Sequence, residues 1–156
     1  MDNTITSSFP QRTNTMNRLK NVLMAIALAI FASAQAAAGG VKVIANSSVR
    51  VGSVSAAELK GIYLKEKNSL PDGTNVQPVL AKEGAAHESF LKEYLERSDA
   101  SLLIYYRSLV FTGKGAMPKM VASDAEMLAY VAKTKGAIGY VKSTTPVEGV
   151  KVLEVK

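Results

Sequence analysis

The sequence predicts an α/β sandwich with a partly parallel sheet, and three observations carry that expectation. Short β-branched runs alternate with segments of helical periodicity. A Ser-x-x-Glu pair stands in front of two of the helical segments. Turns built on Gly, Pro, Asn and Asp separate the pieces. Read along the chain, the order is β-α-β-α-α-α-β-β.

The first strand is Val41-Lys42-Val43-Ile44-Ala45, running into the loop Asn46-Ser47-Ser48. Ser55-Ala56-Ala57-Glu58 is a capping box. Its serine hydroxyl accepts from the amide three residues on, and its glutamate accepts from the cap amide. Leu59, Ile62 and Tyr63 then recur at helical spacing, to about Leu64. Pro71-Asp72-Gly73-Thr74 is a turn, and Val76 to Leu80 a second strand. Gly84 to Glu96 reads as one helix with Phe90, Leu91, Tyr94 and Leu95 as its apolar stripe. Glu88/Lys92 and Glu93/Arg97 stand in the favoured i,i+4 order. Ser98 caps the next helix, whose expected buried face is Leu102, Leu103, Tyr106, Leu109 and Val110. Phe111 to Pro118 reads as a loop. Ser123-Asp124-Ala125-Glu126 is a second capping box, and its helix ends with Lys133 and Lys135 before Gly136. Ala137 to Val141 and Val150 to Val155 are the last strands, the final one expected at a sheet edge.

Composition narrows the chemistry. The chain has 156 residues, no cysteine and one histidine. Disulfide scaffolds, thiolate metal sites and cysteine nucleophiles are excluded, and a multi-histidine metal site cannot be assembled. The carboxylates fall on helix surfaces, with no pair of them set as acid and base. The expectation is therefore a protein that is not an enzyme and holds neither metal nor cofactor. The 19 Lys+Arg against 13 Asp+Glu give a net charge of +6. No dense basic run or basic-aromatic patch points to nucleic acid.

The amino terminus reads as a targeting segment. Val22 to Phe31 is an uncharged apolar run of ten residues, half of what a membrane span needs. Arg18 and Lys20 precede it and Ala32-Ser33-Ala34-Gln35-Ala36 follows, which together describe a secretory signal peptide cut after Ala34 or Ala36. Met16 makes an ordinary start for such a signal, so residues 1–15 read as an upstream extension. The expected organisation is residues 1–36 removed and residues 37–156 folded as one domain in the periplasm, with no stable membrane span. Loss of Arg12, Arg18, Lys20 and Asp2 leaves 16 basic and 12 acidic residues.

From the first strand to Val141 the pattern resembles one family, the phosphate-type periplasmic substrate-binding proteins of ABC transporters. The carrying residues are Val41 to Asn46, Ser55 to Leu64, Pro71-Asp72-Gly73 with Val76-Gln77-Pro78-Val79, and Glu88-Ser89-Phe90. Tyr105-Tyr106, Phe111-Thr112-Gly113-Lys114-Gly115, the Ser123 capping box and Gly136 to Val141 complete the set. The resemblance implies a solute-binding, transport-associated fold of the type II periplasmic-binding-protein kind, reduced to a single lobe with a mixed, mostly parallel sheet flanked by helices.

It also implies where an anion would sit: beyond the carboxyl ends of the strands, at a helix start. The candidate ligand-binding residues are Asn46, Ser47, Ser48, Gly84, Ala85, Ala86 and His87. The phosphate-binding relatives carry Ser-Gly-Thr-Arg before Glu-Ser-Phe, where this chain has Gly84-Ala85-Ala86-His87. Two hydroxyl donors are lost, and a forked, permanently charged Arg becomes a His that is mostly neutral near pH 7. As the one histidine near a helix start, His87 is expected on the surface. Gly113-Lys114-Gly115 is a turn before it is an anion nest. Two readings stay open. In one, the protein holds a small oxyanion weakly, inorganic phosphate first. In the other it binds no small ligand and serves as a protein-interaction module, for an envelope partner such as a sensor or transporter or for a second copy of itself.

Overall fold

The computed structural model describes residues 40–156; Met16, the leader and its cleavage site lie outside them. The elements are β1 (Val41–Ala45), β2 (Ser53–Val54), α1 (Ala56–Tyr63), β3 (Gln77–Ala81), α2 (Ala85–Phe90), α3 (Asp99–Phe111), β4 (Lys119–Val121), α4 (Asp124–Lys133), β5 (Ala137–Lys142) and β6 (Lys151–Val155). The first capping box forms as expected: Ser55 Oγ accepts from Glu58 N–H, and Glu58 accepts from Ser55 N–H at 2.9 Å. In the second, Ser123 Oγ accepts from Glu126 N–H, but Glu126 reaches one residue further back, to Ala122 N–H.

The six strands make one sheet in the order β2-β6-β1-β5-β3-β4. β3 runs parallel to β4 and β5, and β2 parallel to β6. β1 runs antiparallel to both neighbours, β5 and β6. Pro78 is tolerated inside β3 because the β4 ladder starts at Val79, so its missing N–H costs that pairing nothing.

Successive residues of β5 point to opposite faces. Tyr140 meets Phe90 of α2, the rings stacked at 3.9 Å between centroids. Gly139 faces α4: a Cβ built there would stand 2.4 Å from Met127 Sδ, so the absence of a side chain is what lets α4 lie against the sheet. Helices thus cover both faces, with the core between them: Val43, Ile44, Leu59, Ile62, Tyr63, Phe90, Met127, Val131 and Ile138 are all buried. α3 joins through its tyrosines, Tyr105 donating to Leu64 O and Tyr106 to Tyr63 O.

Four expectations need correction. β6 is internal, because the two-residue β2 pairs outside it. The helix expected over Gly84–Glu96 is α2 followed by a π-helical turn, Leu91–Leu95, closed by Glu96 in the left-handed region. That change of winding takes the i,i+4 partners out of register, and neither Glu88–Lys92 nor Glu93–Arg97 is among the ion pairs of the described residues. Glu96 instead meets Lys60, and the Arg97 guanidinium sits over the Tyr105 ring at 5.1 Å. Finally, Phe111 belongs to α3, and Val110 is exposed rather than buried.

Candidate functional site

Parallel β3, β4 and β5 end together, and the loops that follow their carboxyl ends enclose a crevice of about 500 Å³. Open α/β sheets bind ligands at such places. β3 leads through Glu83 and Gly84 into α2, and β4 leads through Ser123 into α4, so two helix starts face the crevice. Gly84, at φ +110°, turns the chain into α2 and offers no side chain to its first amides. The start of α4 is already satisfied. Ser123 caps it, while Asp124 places a carboxylate in its first turn, against the positive end of the helix dipole. Asp124 Oδ2 also accepts from Thr145 Oγ1 at 2.6 Å and from Lys142 N–H at 3.2 Å. Glu83 adds a second carboxylate, and Lys142 is the one basic side chain among the lining residues.

His87 is not on the surface, as expected, but buried at 2% exposure. Its Nδ1 lies 2.6 Å from Tyr140 Oη and its Nε2 lies 3.0 Å from Asp99 Oδ1. Tyr140 Oη also accepts from Ala81 N–H at 3.0 Å. With Ala81 N–H donating to Oη, the phenol O–H is placed to donate to Nδ1 in the His87 tautomer that carries its proton on Nε2. In that tautomer Nε2–H donates to Asp99 Oδ1. Burial raises the Tyr140 phenol well above its usual range, so it keeps that proton. The expectation of an exposed His failed because residue type and position near a helix start say nothing of what the sheet presents to it. Here β5 presents a tyrosine.

The other candidate residues lie elsewhere. Because β1 is antiparallel to β5, its carboxyl end meets the amino end of β5: Asn46 N–H donates to Ala137 O at 2.9 Å. Asn46–Ser48 and Gly84–His87 therefore sit at opposite ends of the sheet, about one strand length or ~15 Å apart. They cannot line one site. Asn46 is buried and serves α4: its Nδ2 donates to Val131 O at 2.8 Å and Ala132 O at 2.9 Å, and its Oδ1 accepts from Ser48 N–H. Ser48 Oγ accepts from Gly136 N–H at 2.9 Å, and Ser47 is exposed. Asn46→Ala leaves the last carbonyls of α4 without their donor and is expected to cost about 2 kcal/mol in a urea melt. An unchanged midpoint would contradict this role. Of the two alanines, Ala86 borders the crevice and Ala85 does not, and the Gly113 and Lys114 amides are taken by Val110 O and Leu109 O, so no nest is open there. Sequence reading missed Asp124, Lys142 and Thr145; the alternation of β3, β4 and β5 with their helices was the available signal.

A mixed sheet with β1 reversed, helices on both faces and a crevice at the carboxyl ends of its parallel strands defines one lobe of a periplasmic-binding-protein-like fold. Solved structures agree. The chain is similar to a putative phosphate ABC transporter substrate-binding protein with bound phosphate from Clostridium perfringens (TM-score 0.58, 14% identity, 74% of this chain and 44% of that one). It is similar to PstS from Borrelia burgdorferi (TM-score 0.54, 11% identity, 74% and 47%). It is also similar to an ABC-type phosphate transport receptor from Vibrio cholerae (TM-score 0.50, 16% identity, 74% and 46%). The chain thus spans less than half the length of these proteins. No family model matches the sequence, and no curated protein does.

Proposed function

We propose that the chain is an exported, non-catalytic binding protein whose lobe has the phosphate-binding fold but holds oxyanions only weakly. One observation carries this reading. The crevice where the fold would place an anion is lined by Glu83 and Asp124 against the single Lys142, and Asp124 already fills the positive end of α4. An arriving oxyanion meets two carboxylates there, and of the donors it would need, α2 supplies backbone amides alone. Each charge-assisted hydrogen bond left unmade costs about 1.5–3 kcal/mol, or one to two decades of affinity. The chain's one histidine is buried with both ring nitrogens engaged, Nδ1 by Tyr140 and Nε2 by Asp99, and does not line the crevice, which supports a role in binding rather than catalysis. The leader-like amino terminus supports export.

Calorimetric titration with phosphate, sulfate and molybdate tests the reading. Dissociation constants weaker than about 1 mM are expected for all three. A micromolar constant for phosphate would overturn it.

A further inference from the structure

Beyond that reading, and independent of it, the far end of α3 carries a surface that the core does not use. Ile104 is 66% exposed, Val110 47%, Phe111 92% and Met117 39%. Of the large apolar side chains exposed among the described residues, only Val152 lies off this stretch. Ile104 and Phe111 stand two turns apart on one face of α3. Val110, Phe111 and Met117 border a common hollow with Arg107. That hollow holds a cation and no carboxylate. No Asp or Glu occurs between Asp99 and Asp124, while Arg107, Lys114 and Lys119 do. The hollow beyond Met117 adds Lys65, again with no carboxylate on its wall.

We propose that this end of the molecule docks on an anionic lipid surface, with Phe111 and Met117 entering the headgroup boundary and Arg107 and Lys114 meeting lipid phosphates. Apolar side chains ringed by cations are what such an interface selects. Two features favour lipid over a protein partner. A stable protein complex buries about 800 Å² on each side with charges of both signs at its rim, and four side chains around a helix end fall short of that. Phe111 also projects almost fully from the end of α3, a shape that a fluid interface accepts without a matching cavity. A second copy is disfavoured because it would bring like charges together.

The test is co-sedimentation of the purified protein with vesicles of phosphatidylcholine and phosphatidylglycerol, and with vesicles of phosphatidylcholine alone. Binding to the mixed vesicles at low salt, lost at 0.5 M NaCl and absent on the neutral vesicles, is expected. Arg107→Gln with Lys114→Gln should weaken it roughly thirtyfold, at about fivefold per cation, and Phe111→Ser roughly tenfold or more. All three positions are exposed, so the fold bears no part of the loss. Failure to bind mixed vesicles, binding unaffected by both sets of changes, or self-association through the patch in place of vesicle binding would each overturn the proposal.

Discussion

Replacing Gly136 with alanine is expected to destabilise the lobe by about 3 kcal/mol or more. Gly136 sits at φ +73°, where a Cβ costs roughly 1–2 kcal/mol by itself. The new Cβ would also stand 2.3 Å from the carbonyl oxygen of Asn75, a backbone atom that cannot rotate away. Relief requires the segments entering β3 and β5 to part where they first join, since Gln77 N–H donates to Gly136 O at 2.8 Å. Ser48, which accepts from the Gly136 amide, would move with them. Gly73→Ala is the control. Its φ is +80° but nothing lies within 4 Å of the added carbon, so only the conformational cost should appear. Urea melts would show a lowered midpoint for both, with the loss at Gly136 at least twice that at Gly73. Equal losses would mean that the close approach to Asn75 is not a constraint.

Tyr140→Phe is expected to cost about 2–4 kcal/mol although it removes a single oxygen. The phenylalanine ring can keep its stacking on Phe90, so the effect belongs to the hydroxyl. That oxygen accepts from the Ala81 amide and pairs with His87 Nδ1, and both groups are buried and left without it once it is gone. Unpaired buried polar groups cost about 1–3 kcal/mol each. Coupling gives the sharper check. Once His87 has been changed to Leu, the tyrosine hydroxyl serves only Ala81, so Tyr140→Phe in that background should cost clearly less than in the parent. Additive losses would contradict the shared hydrogen-bond chain from Ala81 through Tyr140 and His87 to Asp99.

These residues also show what the sequence made legible. Local rules placed α1, because Ser55 and Glu58 form their box from within four residues. They placed the start of α4 through Ser123, which caps it although Glu126 turns to Ala122. The sense of β1 was not legible: Val41, Val43, Ile44 and Ala45 look alike in parallel and antiparallel pairing, and the choice depends on β5, almost a hundred residues away. The candidate site divided for that reason. Asn46 reads as a loop residue until α4 is laid beside it, 85 positions on. β2 and β4, of two and three residues, are too short to carry a period. The π-helical turn left no mark in the apolar stripe, as Leu91 and Leu95 are buried in either winding. Helical periodicity assigned Val110 to the core, but α3 is held through Tyr105 and Tyr106, and its last turn is left exposed at Val110 and Phe111.

Whether the fold retains the anion site of its structural relatives is decided by amide chemical shifts in the nitrogen-15-labelled protein as phosphate is added. Small, unsaturated movements at Gly84 and Ala85 up to about 1 mM, with Asn46, Ser47 and Ser48 still, are the expected pattern. Saturation at micromolar phosphate, or joint movement of the residues at both ends of the sheet, would contradict it.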